Sequence, residues 1–237
     1  MTSEIFSRQA LLLGDDIMER IAQRRVIIFG VGGVGGWCAE SLVRSGIHHL
    51  TVVDHDTVNA TNINRQLVAT VKSIGRPKVE VLRERLLDIN PDADIVALQK
   101  TYSKETMHEF SLADYDYVID AIDSLKDKIQ LVLHATGGEG EGLFFSSMGA
   151  ALRTDPFRVR VAEFWKVRND ALGAMMRKRM RQRGLIPGKK FLCVYSEELP
   201  QPRRGEVNGT VCHVTATFGF ALASLVINDI VERVYRV

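Results

Sequence analysis

The sequence predicts an α/β protein with a mostly parallel sheet and helices on both faces. Arg25–Phe29 is an apolar run of strand length, the glycine-rich segment 30–36 follows it, and 37–45 reads as a helix. A second apolar run at 50–54 completes a strand, turn, helix and strand, which is the order of a βαβ unit. Because both strands are apolar along their whole length, we expect them to be fully buried. The unit is therefore Rossmann-like.

Further apolar and amphipathic segments extend this unit along the chain. A helix is expected at 7–19, and 158–162 is expected to be an antiparallel strand at the far side of the sheet. The other helices and strands are expected at 77–89, 94–98, 117–120, 124–134, 143–148 and 172–183. The segment 184–209 contains prolines and glycines, so we expect it to be irregular and mobile. A buried closing helix is expected at 214–231.

Composition restricts the class of protein. The chain has 237 residues, 46% of them apolar and 25% charged, which fits one large globular domain and not a disordered chain. Cys38, Cys193 and Cys212 lack Cys-x-x-Cys spacing, which argues against structural zinc. Without an apolar export signal, we expect free thiols and a cytoplasmic location. Segment 214–231 is rich in Ala, Thr, Gly and Ser, so we expect no stable membrane insertion.

The glycine turn is a candidate phosphate site. Between a strand and a helix, such a turn lets the backbone approach a phosphate and points helix N–H groups at it. Its candidate binding residues are Gly30, Gly32, Gly33 and Gly35. Asp54 ends the second strand, where an acid commonly binds ribose hydroxyls. These features alone fit NAD as well as ATP, so an NAD-dependent oxidoreductase is an alternative.

The polar stretch that begins at Asp54 favours a triphosphate. Residues 54–66 read DHDTVNATNINRQ and include Arg65, and Lys78 follows shortly afterwards. Two cations beside a phosphate-binding turn suit a triphosphate, because its oxygens need neutralising as an anhydride breaks. A hydride transfer has no such need.

Two acids follow a later predicted strand. Asp120 and Asp123 belong to the sequence VIDAIDS at the carboxyl end of 117–120, where ligands bind in open parallel sheets. A carboxylate there can hold Mg²⁺ together with phosphates. Helix capping is the alternative role for both acids.

Positive charge is concentrated in one segment. Residues 166–190 contain nine Lys or Arg against one acid, Asp170, so this segment carries +8 and the rest −6 of a total of +2. Such a distribution favours a polyanionic partner, and a solvated helix face is the alternative.

Together these motifs resemble the ubiquitin-activating-like superfamily of adenylating enzymes. The shared motifs span residues 8–124 in order: Arg8-Gln9, GVGGVGG, DHDTVNATNINRQ, Lys78 and DAIDS. The resemblance implies that the glycines cradle phosphates, that Asp54 holds the ribose, and that Asp123 ligates Mg²⁺. The other residues that it implies at the nucleotide are Asp56, Asn62, Arg65 and Lys78. Arg8 would reach the γ-phosphate from the partner subunit of a homodimer.

The carboxyl-terminal half narrows the resemblance. Sulfur-carrier adenylating enzymes usually carry two Cys-x-x-Cys pairs for zinc, which this chain lacks. The stretches LCVYSEE at 192–198, GTVC at 209–212 and VTATFGF at 214–220 are instead similar to tRNA threonylcarbamoyladenosine dehydratases. That resemblance implies ATP-dependent cyclisation of N6-threonylcarbamoyladenosine in the tRNA anticodon loop through an acyl-adenylate, with net loss of water.

The resemblance also implies the cofactors and partners. They are ATP, Mg²⁺, tRNA, a second copy of the chain and, as a candidate, a sulfur-trafficking protein; DNA is not among them. We expect one domain, 1–237, with a nucleotide-binding core at 1–165, a basic, partly mobile insertion at 166–210 and a closing helix at 211–237. Adenylation of a ubiquitin-like sulfur carrier and a nucleotide-gated RNA-binding module are further alternatives. The chemistry needs no protein nucleophile, so inert thiols are favoured over covalent catalysis for Cys193 and Cys212.

Overall fold

A computed structural model describes residues 4–138 and 142–235, with side chains to residue 232. Seven strands form one sheet, and their bounds are β1 Arg25–Phe29, β2 His49–Val53, β3 Asp94–Leu98, β4 Tyr117–Asp120, β5 Leu143–Ser147, β6 Val159–Glu163 and β7 Leu192–Ser196. Their spatial order is β3-β2-β1-β4-β5-β7-β6. All neighbours are parallel except β6 and β7. The predicted mostly parallel sheet is confirmed.

Helices cover both faces of the sheet, as the sequence predicts. Their bounds are α1 Ser7–Leu13, α2 Asp15–Ala22, α3 Gly35–Arg44, α4 Lys78–Ile89, α5 Leu125–Gly137, α6 Ala171–Gln182 and α7 Cys212–Tyr235. Side chains of a strand alternate between faces, so Val26 and Ile28 join a core with α2, α3, α4 and α7. Ile27 and Phe29 join a second core with α5 and α6.

The amino-terminal region differs from the prediction of one helix at 7–19. Gly14 has a φ of 84° and divides the region into α1 and α2. A positive φ interrupts a right-handed helix and is easily adopted only by glycine. The three apolar residues of α2 that are buried, Ile17, Met18 and Ile21, follow helical spacing.

The prediction of irregular structure throughout 184–209 was wrong at Leu192–Ser196. This segment is β7, which pairs with β5 on one side and β6 on the other. Four of its five residues are buried. It lies between β5 and β6 and is antiparallel to β6, so the antiparallel strand that the sequence predicted for 158–162 is confirmed.

The closing helix α7 packs on the sheet as predicted. Val214, Phe218, Leu222, Val226 and Ile230 recur at every fourth position and are buried in the core that contains α3. By length and composition Cys212–Glu232 could also span a membrane, with a mean hydropathy of 1.7, and half of that stretch is buried within the protein. The predicted closing segment extends to 237, and its last two residues lie outside the described part of the chain.

Gly219 lets α7 approach α3 closely. A Cβ added there would lie 2.6 Å from the carbonyl oxygen of Val34 and 2.8 Å from Cβ of Trp37. No side chain fits at these distances without movement of one helix, because the nearest atom belongs to the backbone.

We expect Gly219→Ala to lower the free energy of unfolding by about 1–3 kcal/mol, the usual cost of overpacking a core. Helix propensity alone predicts the opposite sign, since alanine is favoured over glycine within a helix by roughly 1 kcal/mol. Urea denaturation measures the difference, and Ser224→Ala, at an exposed position of the same helix, is the control. A more stable Gly219→Ala variant contradicts the close approach of α3 and α7.

Candidate active site

One cleft of about 770 Å³ opens at the carboxyl ends of the central strands. β1 and β4 are neighbours there, and the chain order of the strands reverses between them. Loops that leave the two strands in opposite directions create a crevice at this point in open α/β sheets. Ligands bind in such crevices, so this cleft is the candidate nucleotide site.

The glycine turn forms one wall of the cleft, between β1 and α3. A Cβ added to Gly35 would lie only 1.8 Å from the carbonyl oxygen of Gly30. Gly30 has a φ of 86°, and a Cβ there would lie 2.7 Å from the carbonyl oxygen of Ala121. The turn thus requires glycine at both positions. It brings the amino end of α3, which favours anions, to the cleft.

Asp54 ties the end of β2 to the glycine turn. Its Oδ2 accepts the main-chain N–H of Val31 at 2.8 Å, and its Oδ1 accepts that of Asp56 at 2.9 Å. A carboxylate oxygen has more than one lone pair, so both oxygens can still accept hydroxyl groups from a ligand.

The segment 59–66 lies beside the glycine turn. A Cβ at Gly33 would lie 3.4 Å from Cγ of Arg65. Nη1 of Arg65 donates to the carbonyl oxygen of Thr61 at 2.8 Å, and its Nε and Nη2 bond to no described residue. Asn62 also lines the cleft, and its Oδ1 accepts a main-chain N–H of the same segment at 3.0 Å. The two bonds that Nη1 donates position the guanidinium, and Nε and Nη2 remain available to an anion.

Lys78 is a buried cation at the amino end of α4. Its Nζ donates to Oδ2 of Asp56 at 2.7 Å. Burial acts against the charged form of Asp56, but the hydrogen bond and charge of Lys78 outweigh it and hold the pKa of Asp56 below its ordinary value. Asp56 therefore stays ionised and keeps Lys78 in the wall of the cleft.

A buried ion pair shapes the loop after β4. Nζ of Lys128 lies 2.8 Å from Oδ2 of Asp120, and both side chains are fully buried. The same Nζ donates to the carbonyl oxygen of Ile122 at 2.8 Å, and Oδ1 of Asp120 accepts the N–H of Ile122 at 3.0 Å. Asp120 thus acts in an ion pair rather than as the predicted helix cap or cation ligand, and Lys128 was missed by sequence reasoning.

Asp123 lies on this loop, lines the cleft and is exposed. Its carboxylate makes no hydrogen bond or ion pair with a described residue, so its oxygens suit Mg²⁺. Asp54, His55 and Asp56 also offer ligand atoms within 4.8 Å of one another. Lys78 already neutralises Asp56, which disfavours a cation in that second group.

The structure thus brings together nine of the eleven predicted site residues. Those that line the cleft are Gly30, Gly32, Gly33, Asp54, Asp56, Asn62, Arg65, Lys78 and Asp123. Gly35 is buried beneath the turn and supports it. Arg8 is exposed on α1 and does not line the cleft of its own chain.

The cleft continues beyond these residues into a part that we call the far half. It is formed by three segments, which are 147–153, 170–175 and 200–210. Its polar residues include Arg153 and Asp170, neither of which stood out as a site residue in the sequence. Their segments are far apart in the chain, so no local motif marks them.

None of the three cysteines lines the cleft. Burial raises the pKa of Cys38 and of Cys193 well above the usual range of a thiol, so both are protonated. Cys212 is half-buried at the start of α7.

Fold and cleft together define a Rossmann-like nucleotide-binding protein with cationic side chains beside its glycine turn. Residues 6–234 match the ThiF family, and the chain belongs to that family. The resemblance to ubiquitin-activating-like adenylating enzymes, inferred from the motifs, is thereby confirmed.

Relatives within the family are similar over most of their length. The chain is 38% identical to the tRNA threonylcarbamoyladenosine dehydratase of Bacillus subtilis, over 87% of this chain and 80% of that protein. It is 35% identical to the Haemophilus influenzae enzyme of the same name, over 92% of this chain and 90% of that protein. The crystal structure of the Escherichia coli enzyme, TcdA, with ATP superposes with a TM-score of 0.90 at 32% identity and covers 98% of this chain and 96% of that one. By contrast, the similarity to the E. coli ThiS adenylyltransferase covers 53% of this chain.

We expect Lys128→Met to lower the free energy of unfolding by about 3–5 kcal/mol, because Asp120 would remain buried and uncompensated. Lys100→Met is the matched control: it removes a lysine from an exposed ion pair with Glu109, and such pairs contribute about 0–1 kcal/mol. Denaturant titrations of both variants measure the two losses. Equal losses would contradict the role assigned to the buried pair.

Proposed function

We propose that the chain is an ATP-dependent tRNA threonylcarbamoyladenosine dehydratase. It activates the carboxylate of N6-threonylcarbamoyladenosine in the anticodon loop as an acyl-adenylate and closes it into a ring. One observation carries the proposal: a single cleft joins a cationic nucleotide site to a far half of its own, in a chain that resembles the dehydratases over nearly its whole length.

The chemistry explains why ATP is needed. A carboxylate is a poor electrophile because its leaving group would be oxide. Its oxygen attacks the α-phosphorus of ATP, the bond to the bridging oxygen breaks, and pyrophosphate leaves. The carbamoyl group then attacks the acyl carbon within the same molecule, loses its proton and expels AMP. Proximity supplies much of the rate of such an intramolecular step.

The nucleotide site supplies charge and orientation for the first step. Main-chain N–H groups of the glycine turn receive the phosphates, Asp54 receives the ribose, and Asn62, Arg65 and Lys78 contact the triphosphate. The two cations, Arg65 and Lys78, stabilise the charge that develops on the departing pyrophosphate. Asp123 would hold Mg²⁺, which neutralises phosphate oxygens when bound. No thiol takes part, which agrees with the absence of cysteines from the lining of the cleft.

We propose that α6 and Arg183, the residue that follows it, bind the tRNA. Lys178, Arg179 and Arg183 are exposed and form no ion pair with described residues. Arg181 lies over the ring of Trp165, with its Cζ 5.4 Å from the ring centre. Cationic side chains that form no ion pair with acids can contact successive phosphates of an RNA backbone and release the counterions bound there. The proposal divides the domain into a nucleotide-binding core at 1–165, an RNA-binding segment at 166–210 and a closing helix.

We also propose a homodimer in which Arg8 enters the partner's cleft. α1 exposes Leu11 by 89% and Leu12 by 81% beside Arg8. Adjacent exposed leucines on a short helix suit burial in an interface. Free thiols and the nature of the substrate support a cytoplasmic location. A sulfur-trafficking protein is a candidate partner by family resemblance alone.

Incubation with ATP, Mg²⁺ and tRNA that carries threonylcarbamoyladenosine should lower the mass of that nucleoside by one water and release AMP. Mass spectrometry of digested tRNA measures the product. Active protein that leaves the mass unchanged would contradict the proposal. AMP released only with a carrier protein ending in Gly-Gly would support sulfur-carrier adenylation instead.

Two variants separate catalysis from tRNA binding in this assay. Arg65→Ala should abolish turnover and leave tRNA affinity intact, because the guanidinium lies at the nucleotide. The triple variant Lys178→Gln, Arg179→Gln, Arg183→Gln should weaken tRNA affinity and its salt dependence, with ATP affinity unchanged. If the protein only binds RNA, the wild type should show no turnover, so Arg65→Ala would have no activity to remove.

The dimer is tested by mixing two inactive variants, Arg8→Ala and Lys78→Ala. A mixed dimer has one complete cleft if Arg8 acts across the interface, so random exchange should restore about a quarter of wild-type activity. Leu11→Asp with Leu12→Asp should yield monomers in analytical ultracentrifugation. Mixed dimers without activity would contradict the crossing of Arg8.

A further inference from the structure

Arg153 is a buried cation in the wall of the far half of the cleft. It follows β5 in the chain, and its side chain is 3% exposed. Nη2 donates to the carbonyl oxygen of Asn169 at 2.5 Å, whereas Nε and Nη1 are buried and bond to no described residue. A buried guanidinium with unpaired donors is costly unless something completes its bonds.

The acids nearest to Arg153 are already committed to other partners. Both oxygens of Asp170 accept main-chain N–H bonds, from Gly149 at 3.0 Å and Gly173 at 2.7 Å. Glu198 accepts the main-chain N–H groups of the two residues after Arg153, each at 2.9 Å. Neither acid forms an ion pair with Arg153 in the described structure. Both acids lie close enough to act on Arg153 through their charges, so the guanidinium has negative charge nearby but no carboxylate hydrogen-bonded to Nε or Nη1.

Left-handed backbone occurs on both sides of this contact. Leu152 precedes Arg153 and has a φ of 61°, and Asn169 has a φ of 53°. These are the residues other than glycine with positive φ in the part of the chain that the structure describes. Left-handed backbone is unfavourable for leucine but is tolerated by asparagine, and a left-handed leucine persists where the surroundings fix it, most often at functional sites. The two left-handed residues are joined through the hydrogen bond of Arg153 to Asn169.

We infer that Arg153 binds the carboxylate of the threonylcarbamoyl group and orients it toward the nucleotide. The inference rests on the proposed function and adds to it the residue that recognises the acid. A carboxylate must approach an α-phosphate that is itself negative, and two unpaired N–H donors on a cation both neutralise it and fix its direction. After adenylation the carboxylate charge is gone, so the contact belongs to the ground state of the first step.

Binding of three anticodon stem-loops tests the inference, in the presence of a non-hydrolysable ATP analogue that prevents turnover. The first carries threonylcarbamoyladenosine, the second carries its methyl ester, and the third carries plain adenosine. The wild type should prefer the acid over the ester by about 10- to 100-fold, the value of a charge-assisted hydrogen bond. Arg153→Gln should remove this preference and leave affinity for the plain RNA unchanged. Arg153→Lys should retain part of it.

Arg24→Gln is the matched control. Arg24 is half-buried with an unpaired Nε, but it pairs with Asp116 at the amino ends of the central strands, whereas the cleft lies at their carboxyl ends. This variant should keep the preference for the acid, with unchanged affinity for the ATP analogue as the test of folding.

Each remaining outcome overturns either the role of Arg153 alone or the proposed function as well. An Arg153→Gln variant that keeps the preference for the acid overturns the inference. Equal loss of affinity for all three RNAs also overturns it, because such a loss indicates a contact with phosphate. A wild-type protein that dehydrates tRNA but binds acid and ester equally overturns this inference alone, whether or not the variants fold. A wild-type protein that neither dehydrates nor discriminates overturns the proposed function as well.

Discussion

The buried pair of Asp120 and Lys128 constrains everything that happens at the switch point of the sheet. Charges that are cut off from water must have each lone pair and donor satisfied, so their surroundings tolerate little movement. Here the demand is met by the hydroxyl of Ser146, at 2.6 Å, and by both main-chain groups of Ile122. The loop that carries Asp123 therefore has a fixed path. The same loop leaves no space for a side chain at Gly30, so the glycine turn depends on it too.

The two halves of the cleft are built in different ways. The nucleotide half comes from one continuous stretch, 30–78, together with the loop after β4, and its cations are held by short local contacts such as Lys78 with Asp56. The far half is assembled from segments that lie well apart in the chain, held together by main-chain bonds to Glu198 and Asp170. A phosphate chain has the same shape in every relative, whereas an acyl substrate varies, and distant loops can change without disturbing the first half.

Features that are formed by contiguous residues could be predicted from the sequence. The βαβ unit, the glycine turn and the polar stretch are each contiguous, so these features and nine residues of the cleft could be predicted from the sequence. The burial of Lys128 could not be predicted, because a lysine within an amphipathic helix is expected at the surface until its partner is known. Strand β7 was missed because its flanks are rich in Gly and Pro, and only pairing with both β5 and β6 stabilises it as a strand. Arg153 depends on contacts that no spacing reveals.

The packing of α7 on α3 has a consequence for synthesis on the ribosome. The helix that presents the glycine turn is covered by the last helix of the described chain, and Phe218 and Val226 share a core with Val26 of the first strand. A nascent chain interrupted before α7 emerges would carry its phosphate-binding residues on a sheet with one bare apolar face. Such a chain is a target for chaperones and proteases. The helix that presents the glycine turn is thus covered only after α7 has been translated.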